Sequence, residues 1–339
     1  MTVQEMYYKR VISNELQQLL MDGRELHWLY NLVRERKELD FLIGSNNSQE
    51  WVSVYCGTTR LLRISLKRNR VNIAADHKYL KYAKDKGLDI YGIRETTDLY
   101  FEKDFVQMLV YLRQDNQLDR YYYNKKEGYF QNLFSRQFGI NGTGHENFAV
   151  IDKEAVIGYQ DIRAKQNYFS EKQDIFKTIK KHLSEIDANK YGRNISKDAL
   201  GNEVDFLAVN RSGDVLLIEF KHGSSTKGIY LSPIQIGLYC SIFNDYVRCN
   251  RQDFMDNIGE VIKQKKAIGL ISPNFPKVSL TGKIIPMLVI AQFNPKSSAF
   301  DTFGEVLKIC REIFKDNTWL SDLEVYEYDE QRELKRLPY

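Results

Sequence analysis

Three residues carry charge where the surrounding pattern calls for apolar side chains. Asp205 sits inside VDFLAV (204–209), and Glu219 and Lys221 close VLLIEFK (215–221). Successive side chains of a strand alternate between faces, so Glu219 and Lys221 share one face. Arg211-Ser212-Gly213 stands between the two segments. A three-residue hairpin loop with glycine in the left-handed position pairs Asn210 with Asp214 and sets Asp205 opposite Glu219. Cross-strand neighbours on one face hold their Cβ atoms about 5 Å apart. A loop slipped by one residue sends Asp205 to the face of Phe220 instead. Two carboxylates closing on a sheet face among Leu and Ile repel each other and lose hydration, so one takes up a proton unless a cation lies between them. An all-oxygen pocket of Asp, Glu and a nearby backbone carbonyl suits magnesium or manganese. Such an ion acidifies a bound water and stabilises charge growing on a phosphate, and Lys221 beside it can orient or deprotonate that water. Solvated strand ends also meet this spacing. The apolar residues on both faces, the glycine turn and the buried helix that follows favour the chemical reading.

The elements that must position these residues form an α/β alternation. An amphipathic helix over 170–186 precedes the two strands, with Ile175, Phe176, Ile179, Leu183 and Ile186 on one stripe. Ser232-Pro233 is expected to start a helix apolar nearly all round. A helix over 254–265, a strand AIGLIS (267–272), the strand PMLVIAQ (286–292), a helix over 299–315 and the strand LEVYEY (323–328) follow. Earlier, helices are expected over 2–21, 25–36 and 98–112, with β-like segments from Trp51 to Ala75. The glycines of GINGTG (139–144) mark the best break, which divides the chain into an N-terminal α+β domain, residues 1–145, and a C-terminal α/β domain, residues 146–339. A mixed sheet covered by helices is the simplest architecture for the second.

Asp205, the short hairpin and Glu219-Phe220-Lys221 resemble the core of the PD-(D/E)XK nucleases, whose pattern is an Asp followed by (D/E)xK on the adjacent strand. Gln235-Ile-Gly-Leu-Tyr239 matches the QxxxY motif of the RecB-like branch. The resemblance spans residues 165–245 and implies a restriction endonuclease-like core, a mixed central sheet flanked by helices. It also implies magnesium or manganese held by Asp205, Glu219 and the Phe220 carbonyl, with Lys221 serving the attacking water and Gln235 and Tyr239 completing the site. Members often carry an acid on the preceding helix, and Glu171, one turn above the apolar stripe, is the best match, with Asp174, Glu185 and Glu203 behind it. Glu171 also suits a helix N-terminus as a favourable charge. Gln235 fits a second reading as well, the third residue of a capping box begun by Ser232. Val204 stands where the pattern has proline, and the usual first core strand is hard to see in DANKYGRNISKDAL (187–200).

Two further segments mix cations with aromatics or strands. RLLRISLKRNR (60–70) carries Arg60, Arg63, Lys67, Arg68 and Arg70, which could follow a phosphate backbone or guard a strand edge. RYYYNKKEGYFQNLFSRQF (120–138) interleaves Arg120, Lys125, Lys126 and Arg136 with tyrosines and phenylalanines, a pattern of single-strand binding or of core packing.

Composition narrows the class. With 43% hydrophobic and 28% charged residues the 339-residue chain is an ordinary globular one, and its net charge of +4 does not by itself announce a nucleic-acid binder. The four cysteines form no CxxC pair, which argues against a structural zinc site or a disulfide framework and fits a reducing cytoplasm. The N-terminus lacks a signal-peptide core, and the longest apolar run, 284–293, is too short to span a bilayer. GINGTG is not a phosphate loop, because no GK(S/T) closes it, which argues against a built-in helicase or ATPase. The expectation is a magnesium-dependent hydrolase cutting DNA, in repair or in defence against foreign DNA, with RNA left open. The rival is a non-catalytic nucleic-acid-binding or assembly protein that keeps the nuclease fold. A homodimer is compatible, since a double-strand break usually needs two such sites.

Overall fold

The computed structural model describes residues 6–67, 70–140, 142–144, 146–186, 203–313 and 320–339. The chain begins with β1 (Met6–Tyr7), α1 (Asn14–Leu20) and α2 (His27–Glu35). Five strands follow around one helix: β2 (Leu39–Ser45), β3 (Glu50–Cys56), β4 (Thr59–Lys67), β5 (Arg70–Ala74), α3 (His77–Asp85) and β6 (Gly92–Glu95). Then come α4 (Glu102–Gln114), a π-helical turn (Asp119–Tyr123), α5 (Glu127–Gln137), β7 (Phe148–Ala155), β8 (Gly158–Tyr159) and α6 (Ile162–Ile186). The remainder is β9 (Val204–Asn210), β10 (Val215–His222), α7 (Thr226–Ile268), β11 (Ile284–Ala291), α8 (Ser298–Ile313), β12 (Glu324–Tyr328) and β13 (Leu334–Leu337). Among the described residues no helix is long and apolar enough to cross a membrane.

Two compact units divide the chain, and both are discontinuous. One comprises Lys9–Asp152 with Asn257–Pro276, the other Met1–Tyr8, Lys153–Asp256 and Lys277–Tyr339. The glycines near residue 145 lead to the expectation of a single cut. The chain instead crosses between units several times, because the end of α7 belongs with the N-terminal segments. Gln264 there holds both backbone groups of Ile12, accepting from its N–H at 3.0 Å and donating to its carbonyl at 2.7 Å.

The first unit is α+β. Its five strands form an antiparallel meander in the order β2-β3-β4-β5-β6. Val52, Val54, Leu62 and Ile64 alternate inward from β3 and β4 onto a core shared with α1, α2 and α4. Among the described residues, the expected helix over 2–21 is helical only in α1. Ser13 caps it by accepting from the Leu16 N–H at 3.1 Å and is itself held by Glu50. Met6 and Tyr7 pair as a strand with Gly158 and Tyr159, so tertiary pairing overrides the helical pattern there.

The second unit is built on five strands of a mixed sheet, in the order β13-β12-β11-β10-β9. Strand β10 runs antiparallel to β9 and parallel to β11, which is parallel to β12. The helices α7 and α8 are the crossovers that parallel neighbours require. Strand β10 is buried along seven of its eight residues, as expected of a strand covered on both faces. AIGLIS is not a strand. Helix α7 ends at Ile268, Gly269 turns with φ +86°, and the Leu270 N–H returns to the Lys265 carbonyl at 2.8 Å. A short buried apolar run reads alike in either state, which is why the pattern misled.

Candidate active site

The hairpin between β9 and β10 turns through Arg211-Ser212-Gly213. The Gly213 N–H donates to the Asn210 carbonyl at 3.1 Å, and the Asn210 N–H to the Asp214 carbonyl at 3.1 Å. Gly213 has φ +85°, and a Cβ there would lie 2.0 Å from the Ser279 carbonyl oxygen, so both conformation and space demand glycine. The resulting register runs from Val215↔Val209 to Ile218↔Phe206. One step further, Glu219 faces Asp205. There the regular ladder stops: the Phe220 N–H donates to Asp205 Oδ2 at 2.7 Å. The N–H and C=O of one extended residue point to the same side, so the Phe220 carbonyl is turned toward β9.

Lys221 joins the two acids. Its Nζ donates to Glu219 Oε1 and lies 3.9 Å from Asp205 Oδ2, so all three charges meet on one sheet face. Glu219 is 2% exposed and Lys221 8%, while a quarter of the Asp205 side chain reaches solvent (25%). These three groups carry a formal charge of −1 in a poorly hydrated setting, which favours an added cation. The Lys221 stem is held against α7, where a Cβ on Gly228 would lie 3.2 Å from Lys221 Cδ. Gly223 anchors the end of β10, its N–H donating to the Ala291 carbonyl at 2.6 Å. A Cβ on Gly223 would approach the Gln292 carbonyl to 2.0 Å. Neither glycine was singled out from sequence, and only their places just after the ExK run hinted at them.

Gln235 and Tyr239 enter from α7. Burial pushes the Tyr239 phenol well above its ordinary pKa, and the negative charge of Glu219 adds to this. A hydrogen bond with Gln235 opposes the shift, Asp205 raises it and Lys221 lowers it. The QxxxY pair and the three charged residues thus sense one another, and Tyr239 stays protonated. The capping box is corrected: α7 begins at Thr226, so Ser232 is interior. Its Oγ donates to the Ile229 carbonyl at 2.6 Å. That carbonyl is the one Pro233, lacking an N–H, cannot serve.

The remaining predicted residues lie on other elements. Glu171 falls on α6, and its side chain lies outside the described residues, as does the stretch 187–200. Arg60 and Arg63 lie on β4, and the Arg63 guanidinium stacks 4.3 Å from the Trp51 ring centroid. Burial and the neighbouring Arg60 lower the Arg63 pKa. Arg68 and the Lys67 side chain lie outside the described residues. Arg120, Lys125 and Lys126 are exposed. In the same segment Tyr122 and Phe130 are core, and Arg136 is structural. The Arg136 guanidinium donates to the Val33, Leu39 and Arg34 carbonyls at 2.7, 2.7 and 2.9 Å.

Among the described residues no group of three or more His, Cys, Asp or Glu could hold a metal ion. The donors here for a hard cation are two carboxylates and the Phe220 carbonyl, all oxygen, which fits magnesium or manganese. No family model, no curated protein and no solved structure matches the chain.

Proposed function

We propose that the chain is a magnesium- or manganese-dependent nuclease with a restriction endonuclease-like core, hydrolysing DNA phosphodiesters in repair or in defence against foreign DNA. The observation that carries this reading is Lys221 set between Glu219 and Asp205 on one face of the β9–β10 hairpin. The parallel β10–α7–β11 crossover beside it supports the same reading. A divalent ion held by Asp205, Glu219 and the Phe220 carbonyl supplies Lewis-acid charge and a water acidic enough to lose its proton near neutrality. Glu219 fixes the Lys221 ammonium, which orients the attacking water and neutralises a phosphate oxygen. Tyr239, kept protonated by burial and by the charge of the two carboxylates, is held through its hydroxyl by Gln235.

The test is incubation of circular and linear DNA, with RNA in parallel, in magnesium, manganese or chelator. Wild type should cut only with metal, and Asp205→Ala and Lys221→Ala should each lose about 100-fold or more. Equal behaviour of wild type and variants refutes the proposal. Binding without cleavage by all three proteins supports the non-catalytic rival.

A further inference from the structure

The first unit carries a cationic surface, away from the acids of the β9–β10 hairpin in sequence. Over residues 76–86 and 111–126, eight Lys and Arg stand against four Asp. Three of these acids are engaged: Asp76 caps α3, Asp115 pairs with Lys86 at 3.1 Å, and Asp119 pairs with Arg113 at 3.3 Å. Among the described residues, Lys81, Lys84, Arg120, Lys125 and Lys126 are exposed and take part in no ion pair.

The surface is built rather than merely solvated. Lys78 on α3 donates to the Tyr121 hydroxyl at 3.0 Å and lies 4.6 and 4.7 Å from the Tyr79 and Tyr121 ring centroids. Lys86 lies 5.0 Å from the Tyr111 ring and Arg113 3.5 Å from the Tyr123 ring. Tyr121 belongs to the π-helical turn, a rare form that recurs at functional sites. Its carbonyl is wedged between two glycines: a Cβ on Gly57 would approach it to 2.0 Å and one on Gly128 to 1.9 Å. Two side chains are thus given up to fix a turn whose Arg120 and Tyr121 face outward.

We propose that α3 and the segment 113–126 form a nucleic-acid backbone-binding surface made of residues other than the hydrolytic ones. The inference rests on the nucleic-acid substrate proposed above. Tyr79 is buried, Tyr111, Tyr121 and Tyr123 are half-buried, and all four are already covered by the protein's own cations, so phosphates rather than splayed bases are the groups this surface meets. Those half-buried rings also supply no wedge to dip below lipid headgroups, which favours nucleic acid over an anionic membrane.

The test uses the full chain carrying Lys221→Ala, in chelator, so that binding is read without cleavage. Arg120→Glu/Lys125→Glu/Lys126→Glu should weaken binding of a 25-nucleotide duplex about tenfold or more and flatten the log Kd against log[salt] slope by about 2–3. With Lys221 restored, the triple variant should raise KM for cleavage and leave kcat unchanged. Unchanged affinity and slope overturn the inference, as does binding of phosphatidylserine vesicles but not DNA. Absence of cleavage with an intact, salt-dependent loss in the triple variant refutes the nuclease reading and leaves this surface standing. An unchanged thermal melt excludes misfolding as the cause.

Discussion

Lys221→Met keeps an unbranched stem against Gly228 and removes only the ammonium. That ammonium lies 3.9 Å from Asp205 Oδ2 and closer still to Glu219. Two unit charges ~4 Å apart attract by about 4 kcal/mol at the effective dielectric typical of proteins. The quarter exposure of Asp205 screens its share, and the desolvation of Lys221 itself is recovered when the charge goes. Breaking a buried pair by removing one partner costs about 3–5 kcal/mol, and the exposed side of Asp205 places this case at about 3. The variant leaves two carboxylates facing each other, so one holds a proton more tightly when folded than when unfolded. The folded state then binds more protons than the unfolded chain above the ordinary carboxylate pKa of about 4, and stability falls as pH rises from there toward neutrality. Urea unfolding at pH 5 and pH 8, with and without magnesium, reads all of this. Magnesium at about 100 times its Kd should return about 2.7 kcal/mol to the variant without restoring cleavage. A loss below about 1 kcal/mol at pH 8, the same at pH 5 and indifferent to magnesium, would refute the account of this triad.

Gly213→Ala should destabilise by more than about 1 kcal/mol, since it strains φ and drives a Cβ at the Ser279 carbonyl, and chemical denaturation measures it. Tyr239→Phe should cost about 1 kcal/mol and leave the alkaline side of the pH–rate profile unchanged, because burial keeps the phenol protonated throughout. Arg136→Ala should cost about 3 kcal/mol by stripping the Val33, Arg34 and Leu39 carbonyls of their donor. Burial lowers the pKa of Lys265 below 10.5, although Asp152 and Asp40 oppose this. The unfolded chain therefore binds the extra proton between the two values, so stability should rise with pH through that window, and Lys265→Met should abolish the rise in a pH series of melts.

The hairpin was legible because its signals were local. A glycine requiring positive φ fixed the loop, the loop fixed the register, and period two then set Asp205 opposite Glu219. The β10–α7–β11 alternation was readable for the same reason, through long apolar runs with clear punctuation. What escaped depended on distant contacts. Ser232 looked like a cap because Ser-Pro usually starts a helix, yet Thr226 starts it and Ser232 serves the carbonyl that Pro233 leaves behind. Leu39–Ser45 went unread as a strand, although it is buried throughout as the edge of the first sheet. Arg136 resembled a surface cation, and only the carbonyls at the ends of α2 and the start of β2 reveal its task. The discontinuous units were invisible because nothing in 257–268 announces that Gln264 will clasp Ile12.

In the proposed site Asp205, Glu219 and the Phe220 carbonyl hold one divalent ion beside Lys221. Anomalous diffraction from crystals soaked in manganese tests it directly. The expected peak lies within about 2.0–2.4 Å of oxygens from both carboxylates and of the Phe220 carbonyl, and is lost in Glu219→Gln. No peak at saturating manganese, or a peak that survives Glu219→Gln unchanged, would contradict it.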